Sequence, residues 1–197
     1  MKKETQPVTI AAVVDLLEGL GFGSSGTNLR RLSCDRRVVQ IVTLQKGRTW
    51  LTGKFTMELG CFLPSVYQVE TGERPPREPR ITQCHIRERL GHFVGTGDLW
   101  WKSDDPGDID VLAAAVQRDV PLFFERFGEV RAILEAWRQG PLPMGSPYAP
   151  PVLLHEEGRD EEAREYIQRW RQTVVGNKGD AGFLSGLTTA LGLNVQN

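Results

Sequence analysis

The sequence predicts an α+β domain in which a curved antiparallel sheet of about four to five strands carries helices on one face, with further helices near the C-terminus. The first half contains successive runs of strand-like alternation joined by short turns, which favours antiparallel neighbours. From residue 108 onward apolar residues recur at helical spacing. We therefore expect an α+β domain over residues 1–140. We expect a Pro/Gly-rich connection and C-terminal helices over residues 141–197, packing on the same domain.

The N-terminal segment predicts a helix followed by a loop. Apolar residues over residues 5–20 recur at helical spacing and give one face of an amphipathic helix. Gly19 and Gly21 are expected to end this helix, because glycine readily takes the left-handed conformation that closes helices. The GSSG sequence of residues 23–26 is typical of a loop.

Four runs with strand-like composition follow. They cover residues 28–34, 38–45, 55–63 and 81–89. The third alternates most clearly, with apolar side chains on one face and polar ones on the other. Residues 69–80 connect it to the fourth and are rich in proline and charge, which indicates an exposed loop.

The fourth predicted strand directs polar side chains to one face of the sheet. If the third strand is its neighbour, His85, Arg87 and Arg89 lie close to Glu58. Arginines on an open sheet face can hold a carboxylate or a phosphate bidentately, and a tryptophan can supply an apolar wall beside them. The same pattern fits a half-exposed strand whose polar residues are simply solvated. The candidate binding residues are His85, Arg87, Arg89, Glu58, Trp100 and Trp101.

The second half predicts helices. Asp108 or Asp110 can cap the first, and Asp119 with Pro121 indicates a second start, so the helix is predicted to be kinked or split there. Beyond it the sequence predicts, in order, a loop over residues 140–151, a helix that begins at Asp160 and a short helix over residues 180–191.

Composition argues against several classes of function. A formal net charge of -1 provides no overall field that would attract nucleic acid or an anionic membrane. The apolar run of residues 8–20 is interrupted by Asp15 and Glu18, so we interpret it as neither a signal peptide nor a membrane span. Three isolated cysteines are typical of reduced thiols, which favours a cytoplasmic protein.

Specific chemical motifs are weak throughout. A zinc site made of Cys34, Cys61, Cys84 and His85 lacks the paired, closely spaced ligands of structural zinc sites. The carboxylates of residues 98–110 lack calcium-loop spacing. Adjacent strand residues face opposite sides of a sheet, so Cys84 beside His85 is not predicted to form a catalytic dyad. We therefore predict no catalytic residue, no metal site and no cofactor.

Four pieces of the chain resemble the domain of unknown function 4304, a widespread bacterial family. They are LLEGLGFGSSGTNLRR, VVQIVTLQKG, FTMELGCFLP and CHIRERLG with the DLWW that follows. The resemblance extends over residues 8–137 and implies one-domain organisation for that part of the chain. It implies no activity, but it directs attention to residues 21–31, Gln45, residues 84–89 and the DLWW sequence.

Two functional hypotheses remain open. The first is a non-enzymatic, protein-binding module, immunity-like or regulatory, that uses the arginine and tryptophan patch. The alternative is an enzyme or binding protein for an anionic small molecule or nucleotide. In that case His85 is the acid/base, Glu58 orients it, and Arg87 with Arg89 holds the anion.

Overall fold

The computed structural model describes residues 8–173, 184 and 186–193. The strands are β1 (Gly23–Ser25), β2 (Asn28–Leu32), β3 (Val39–Lys46), β4 (Lys54–Phe62), β5 (Ile86–Arg89) and β6 (Trp101–Lys102). The helices with defined bounds are α1 (Val8–Gly19), α2 (Pro64–Thr71), α3 (Leu90–Phe93), α4 (Pro106–Phe127), α5 (Val130–Gln139), α6 (Ala149–Glu156) and α7 (Asp160–Thr173). Residues 184 and 186–190 are also helical, and the rest of the helix predicted over residues 180–191 lies outside the described residues.

The strands form one antiparallel sheet in the order β1-β2-β3-β4-β5, with β6 also paired to β4. The long β3–β4 hairpin forms its centre, from Val39 opposite Phe62 to Lys46 opposite Phe55. The prediction of an α+β domain with an antiparallel sheet is confirmed, and the sheet is open and uncurled. The GSSG sequence is not only a loop, because Gly23–Ser25 pairs with β2 as a short edge strand.

The two faces of the sheet differ in how they are covered. On one face Phe55, Met57 and Leu59 join the main hydrophobic core, to which α1, α4, α6 and α7 also contribute. On the opposite face a second cluster, built on Ile41 and Phe62, covers only part of the sheet. We call this opposite side the outer face; beyond the second cluster its side chains are largely polar.

Helix α4 runs without a break through the position where the sequence predicted a kink or a second start. Asp105 caps it by accepting a hydrogen bond from the Gly107 amide, 3.0 Å away, and Pro121 lies in its interior. The prediction of a split helix was wrong, because packing of buried side chains on both sides of the proline, such as Val120 and Phe123, outweighs the loss of one backbone hydrogen bond.

The segment between β4 and β5 also departs from prediction. Pro64, at the first turn, begins helix α2, and Gly72 ends it with a φ of 70°. The fourth predicted strand is shorter than expected, because Ile81–Gln83 forms a 3-10 turn and pairing begins only at Ile86.

The C-terminal part of the chain contacts the sheet directly. The amide of Arg87 donates to the Pro143 carbonyl (3.1 Å), and the Ser146 amide donates to the His85 carbonyl (2.9 Å). The predicted loop ends at Ala149, where α6 begins. Within the described residues, no helix has the length and apolar character needed to cross a membrane.

Candidate docking surface and a neighbouring polar pocket

The polar part of the outer face is assembled by strand register. Thr43 of β3 lies opposite Glu58 of β4, and Glu58 lies opposite Arg89 of β5. Lys54 and Phe55 pair with β6, and continuing that register by one residue sets Trp100 beside Thr56. Side chains in directly opposed positions share a face. Glu58, Arg89 and Trp100 are therefore neighbours on the outer face.

Arg89 is held from several sides. Its guanidinium lies 2.6 Å from Asp98 Oδ1 and 4.0 Å from Glu58 Oε1, and 5.5 Å from the centre of the Trp100 ring. The indole of Trp100 donates to Asp98 Oδ2 at 3.0 Å. This hydrogen bond, followed by that from Arg89, lowers the pKa of Asp98. The charge of Arg89 is thus compensated within the protein.

Arg87 is in a different situation on the same face. Within the described residues no carboxylate lies within ion-pair distance of its guanidinium, and one of its nitrogens is 3.8 Å from Met144 Sδ. Nearby, burial raises the pKa of the Cys84 thiol to about 12, against the opposing effect of Arg87. Cys84 is therefore a neutral thiol at physiological pH, and Arg87 is available to an outside group.

Two of the residues predicted for this surface lie elsewhere. Trp101 is 3% exposed and packs in the core, with its ring 6.1 Å from that of Phe55. His85 is 4% exposed and is not paired with Glu58. Of the six residues predicted for this surface, four lie on the outer face: Glu58, Arg87, Arg89 and Trp100. Arg30 and Asn28 share the outer face, which the alternation of β2 could have indicated.

His85 lies at the base of a separate pocket. Its Nδ1 accepts a hydrogen bond from the Leu63 amide (3.0 Å), so the proton of the neutral ring is on Nε2. Nε2 faces Glu70 Oε2 at 3.4 Å, and the other oxygen of Glu70 accepts a hydrogen bond from Ser146. The ring also packs 5.3 Å from Phe62. His85 therefore joins β4, α2 and the loop before α6.

The hairpin tip between β3 and β4 carries the most exposed tryptophan described. Trp50 is 82% exposed and sits in the 3-10 turn Thr49–Leu51. In the described part of the chain Lys46, Arg48 and Lys54, which flank it, form no ion pair. An open groove of about 790 Å³ beside the tip is lined by Thr27, Thr43, Leu44, Gln45, Lys46 and Arg48. Sequence reasoning missed Trp50, although a tryptophan between basic residues in a turn is a usable signal.

No cluster of three or more potential metal ligands occurs among the described residues. Cys34 is exposed, whereas Cys61 is buried in the core. The hypothetical zinc site is therefore not assembled from these side chains.

Comparison with known proteins gives one family. The family model described as "Domain of unknown function (DUF4304)" matches residues 13–122. The chain belongs to this family. No curated protein and no solved structure matches the chain significantly. The matched part of this DUF4304 protein contains the sheet, Trp50 and His85, whereas Met144 and Ser146 lie beyond it.

Proposed function

We propose that this DUF4304 protein is a cytoplasmic, non-enzymatic protein-binding module of an immunity-like or regulatory kind. Its docking surface consists of the β3–β4 hairpin tip and the adjoining outer face, and its partner is a protein with an acidic surface. The observation that carries the proposal is Trp50, which is 82% exposed on the 3-10 turn of the hairpin tip. The free cysteines are compatible with a reducing compartment.

An exposed tryptophan at a protruding tip suits a binding hot spot. Tryptophan offers a large apolar area with few rotatable bonds, so little conformational entropy is lost when a partner covers it. Removing such a residue from an interface typically costs about 2 kcal/mol or more of binding free energy.

The charges around Trp50 favour an acidic partner. Lys46 and Arg48 are exposed, Lys54 is half-buried, and in the described part of the chain none of them has a carboxylate neighbour within ion-pair distance. Lys54 lies on the outer face, whereas Lys46, opposite Phe55, lies on the other face, so an acidic surface on the outer face would interact with Lys54 and Arg48 without breaking an existing ion pair. Such complementarity mainly raises the association rate and fixes the orientation of the partner.

The outer face extends the surface beyond the hairpin. Arg89, Trp100, Asp98 and Glu58 hold one another in a fixed arrangement, so they present a pre-organised patch. Arg87 adds a guanidinium that a partner carboxylate can bind bidentately.

Affinity capture with single-residue variants tests the proposal. Wild-type protein should capture a partner from native lysate that Trp50→Ala loses. Leu122→Ala is the matched control, because Leu122 is also a large exposed apolar side chain, at 48%, but lies on α4 away from the sheet. Equal capture by wild type and Trp50→Ala would refute the proposed surface. So would loss of capture by Leu122→Ala.

A second candidate is a binding site for a small anion. Arg87 favours it, because its guanidinium has no carboxylate within ion-pair distance in the described residues. His85 does not have the predicted Glu58 as its partner, since its ring contacts Glu70 and Leu63. Isothermal titration with inorganic phosphate tests this candidate. Arg87→Gln should abolish binding, whereas Arg131→Gln, on the exposed surface of α5, should preserve it.

A further inference from the structure

The pocket above His85 has a composition unlike that of the outer face. It has a volume of about 250 Å³, and its lining includes Tyr67, Glu70, Cys84, His85, Met144 and Ser146. Glu70 is the only carboxylate of this lining, and the lining contains no lysine or arginine. The pocket lies at the Phe62 end of β4, whereas Trp50 lies beyond the Lys54 end.

The negative charge of Glu70 is not neutralised by any cation of the described residues. Its contacts are the hydroxyl of Ser146 and the Nε2 of His85, which is neutral because Nδ1 accepts the Leu63 amide. An ionised carboxylate offers about four acceptor positions, so roughly two remain for an outside donor. The Glu70 side chain is 22% exposed and can be reached from solvent.

The walls of the pocket also suit a cation. The ring of Tyr67 is an aromatic surface, with which ammonium groups interact favourably through its π electrons. The Sγ of Cys84 and the thioether of Met144 add polarisable, uncharged surface. The Glu70 carboxylate would repel an anion in this pocket, and the lining contains no lysine or arginine to offset that repulsion.

We propose that this pocket binds an alkylammonium group, with Glu70 as its counter-ion. The volume suits a short chain with one charged end, supplied either by a free primary amine or by a lysine side chain of a bound protein. Neither Trp50 nor Arg87 lines the pocket, but the Arg87 guanidinium lies 3.8 Å from the Met144 sulfur at its rim, so the ammonium group must bind on the Glu70 side.

Isothermal titration of the full chain with n-butylammonium and with a short lysine-containing peptide tests the proposal, and butyrate serves as the anionic comparison. Binding of either cation, and not of butyrate, is the expected result, and the cation that binds identifies the source of the ammonium group. Glu70→Gln should weaken binding at least tenfold. Glu125→Gln is the matched control, because Glu125 is exposed on α4, does not line the pocket and should leave the affinity unchanged.

A rim variant keeps the test informative if Glu70→Gln does not fold. Thr82 is exposed and lines the pocket, so Thr82→Arg introduces a competing cation without disturbing the Glu70 contacts. This variant should also weaken binding at least tenfold. The proposal is overturned if neither cation binds, or if Thr82→Arg or a folded Glu70→Gln binds as wild type does.

Discussion

Replacement of His85 by alanine tests the structural role assigned to the buried ring. In the folded protein Nδ1 accepts the amide of Leu63 at 3.0 Å, and Leu63 is fully buried. Alanine offers no acceptor for this amide. The variant should therefore be less stable because a buried backbone donor loses its partner.

The expected loss can be worked from the contacts. An unsatisfied buried amide costs about 1–3 kcal/mol. The ring packs 5.3 Å from Phe62, and such aromatic contacts contribute about 0.5–1.5 kcal/mol. Loss of the contact with Glu70 adds little to this cost, since the Glu70 carboxylate is partly exposed and can bind water instead. His85→Ala should thus lower the free energy of unfolding by about 1.5–4.5 kcal/mol.

Urea denaturation followed by tryptophan fluorescence measures this loss. His92→Ala is the control, because the His92 side chain is 49% exposed and lies 3.5 Å from Glu88. The control should change the free energy of unfolding by about 0.5 kcal/mol or less. Equal stability of the two variants would refute the role of His85 as a buried link.

Two further predictions concern packing and thiol chemistry. Gly60→Ala should destabilise the fold by about 1–3 kcal/mol, because the added Cβ would lie 2.6 Å from Cys84 Sγ. Gly19→Ala is the control and should not destabilise the fold, because no atom lies within 4 Å of the added Cβ. Thermal unfolding of the two variants measures the difference. At pH 8 a disulfide reagent should label Cys34 rapidly, Cys84 slowly because it is partly exposed but protonated, and Cys61 only after denaturation. Cys34 is exposed, whereas burial raises the pKa of the other two thiols and keeps them protonated. Rapid labelling of more than one thiol in the native protein would contradict this prediction.

The fold class and the central strands could be predicted because local patterns determine them. Period-two alternation in β4 and helical spacing after Asp160 need no knowledge of distant contacts. The continuity of α4 could not be predicted, because it depends on packing of Val120 and Phe123 against the core, which outweighs the helix-breaking tendency of Pro121. The start of β5 likewise depends on pairing with β4, which a local pattern does not reveal.

Part of the candidate surface could also be predicted, because local alternation determines which side chains of a strand share a face. Alternation correctly places Arg87 and Arg89 on one face, opposite Gly60 and Glu58. Alternation could not place His85, because its ring is fixed by Leu63 and Glu70, which are distant in sequence. The exposure of Trp50 depends on the conformation of the hairpin turn, and residue type alone favours a buried tryptophan.

The affinity of a purified, captured partner for wild-type protein and for Trp50→Ala tests the docking surface most directly. Far-ultraviolet circular dichroism should first show that the variant is folded, since Trp50 is 82% exposed. If the hairpin tip is the centre of the interface, Trp50→Ala should weaken binding by about 2 kcal/mol, roughly 30-fold. An affinity within about twofold of wild type would correspond to less than about 0.5 kcal/mol and would contradict the proposed surface.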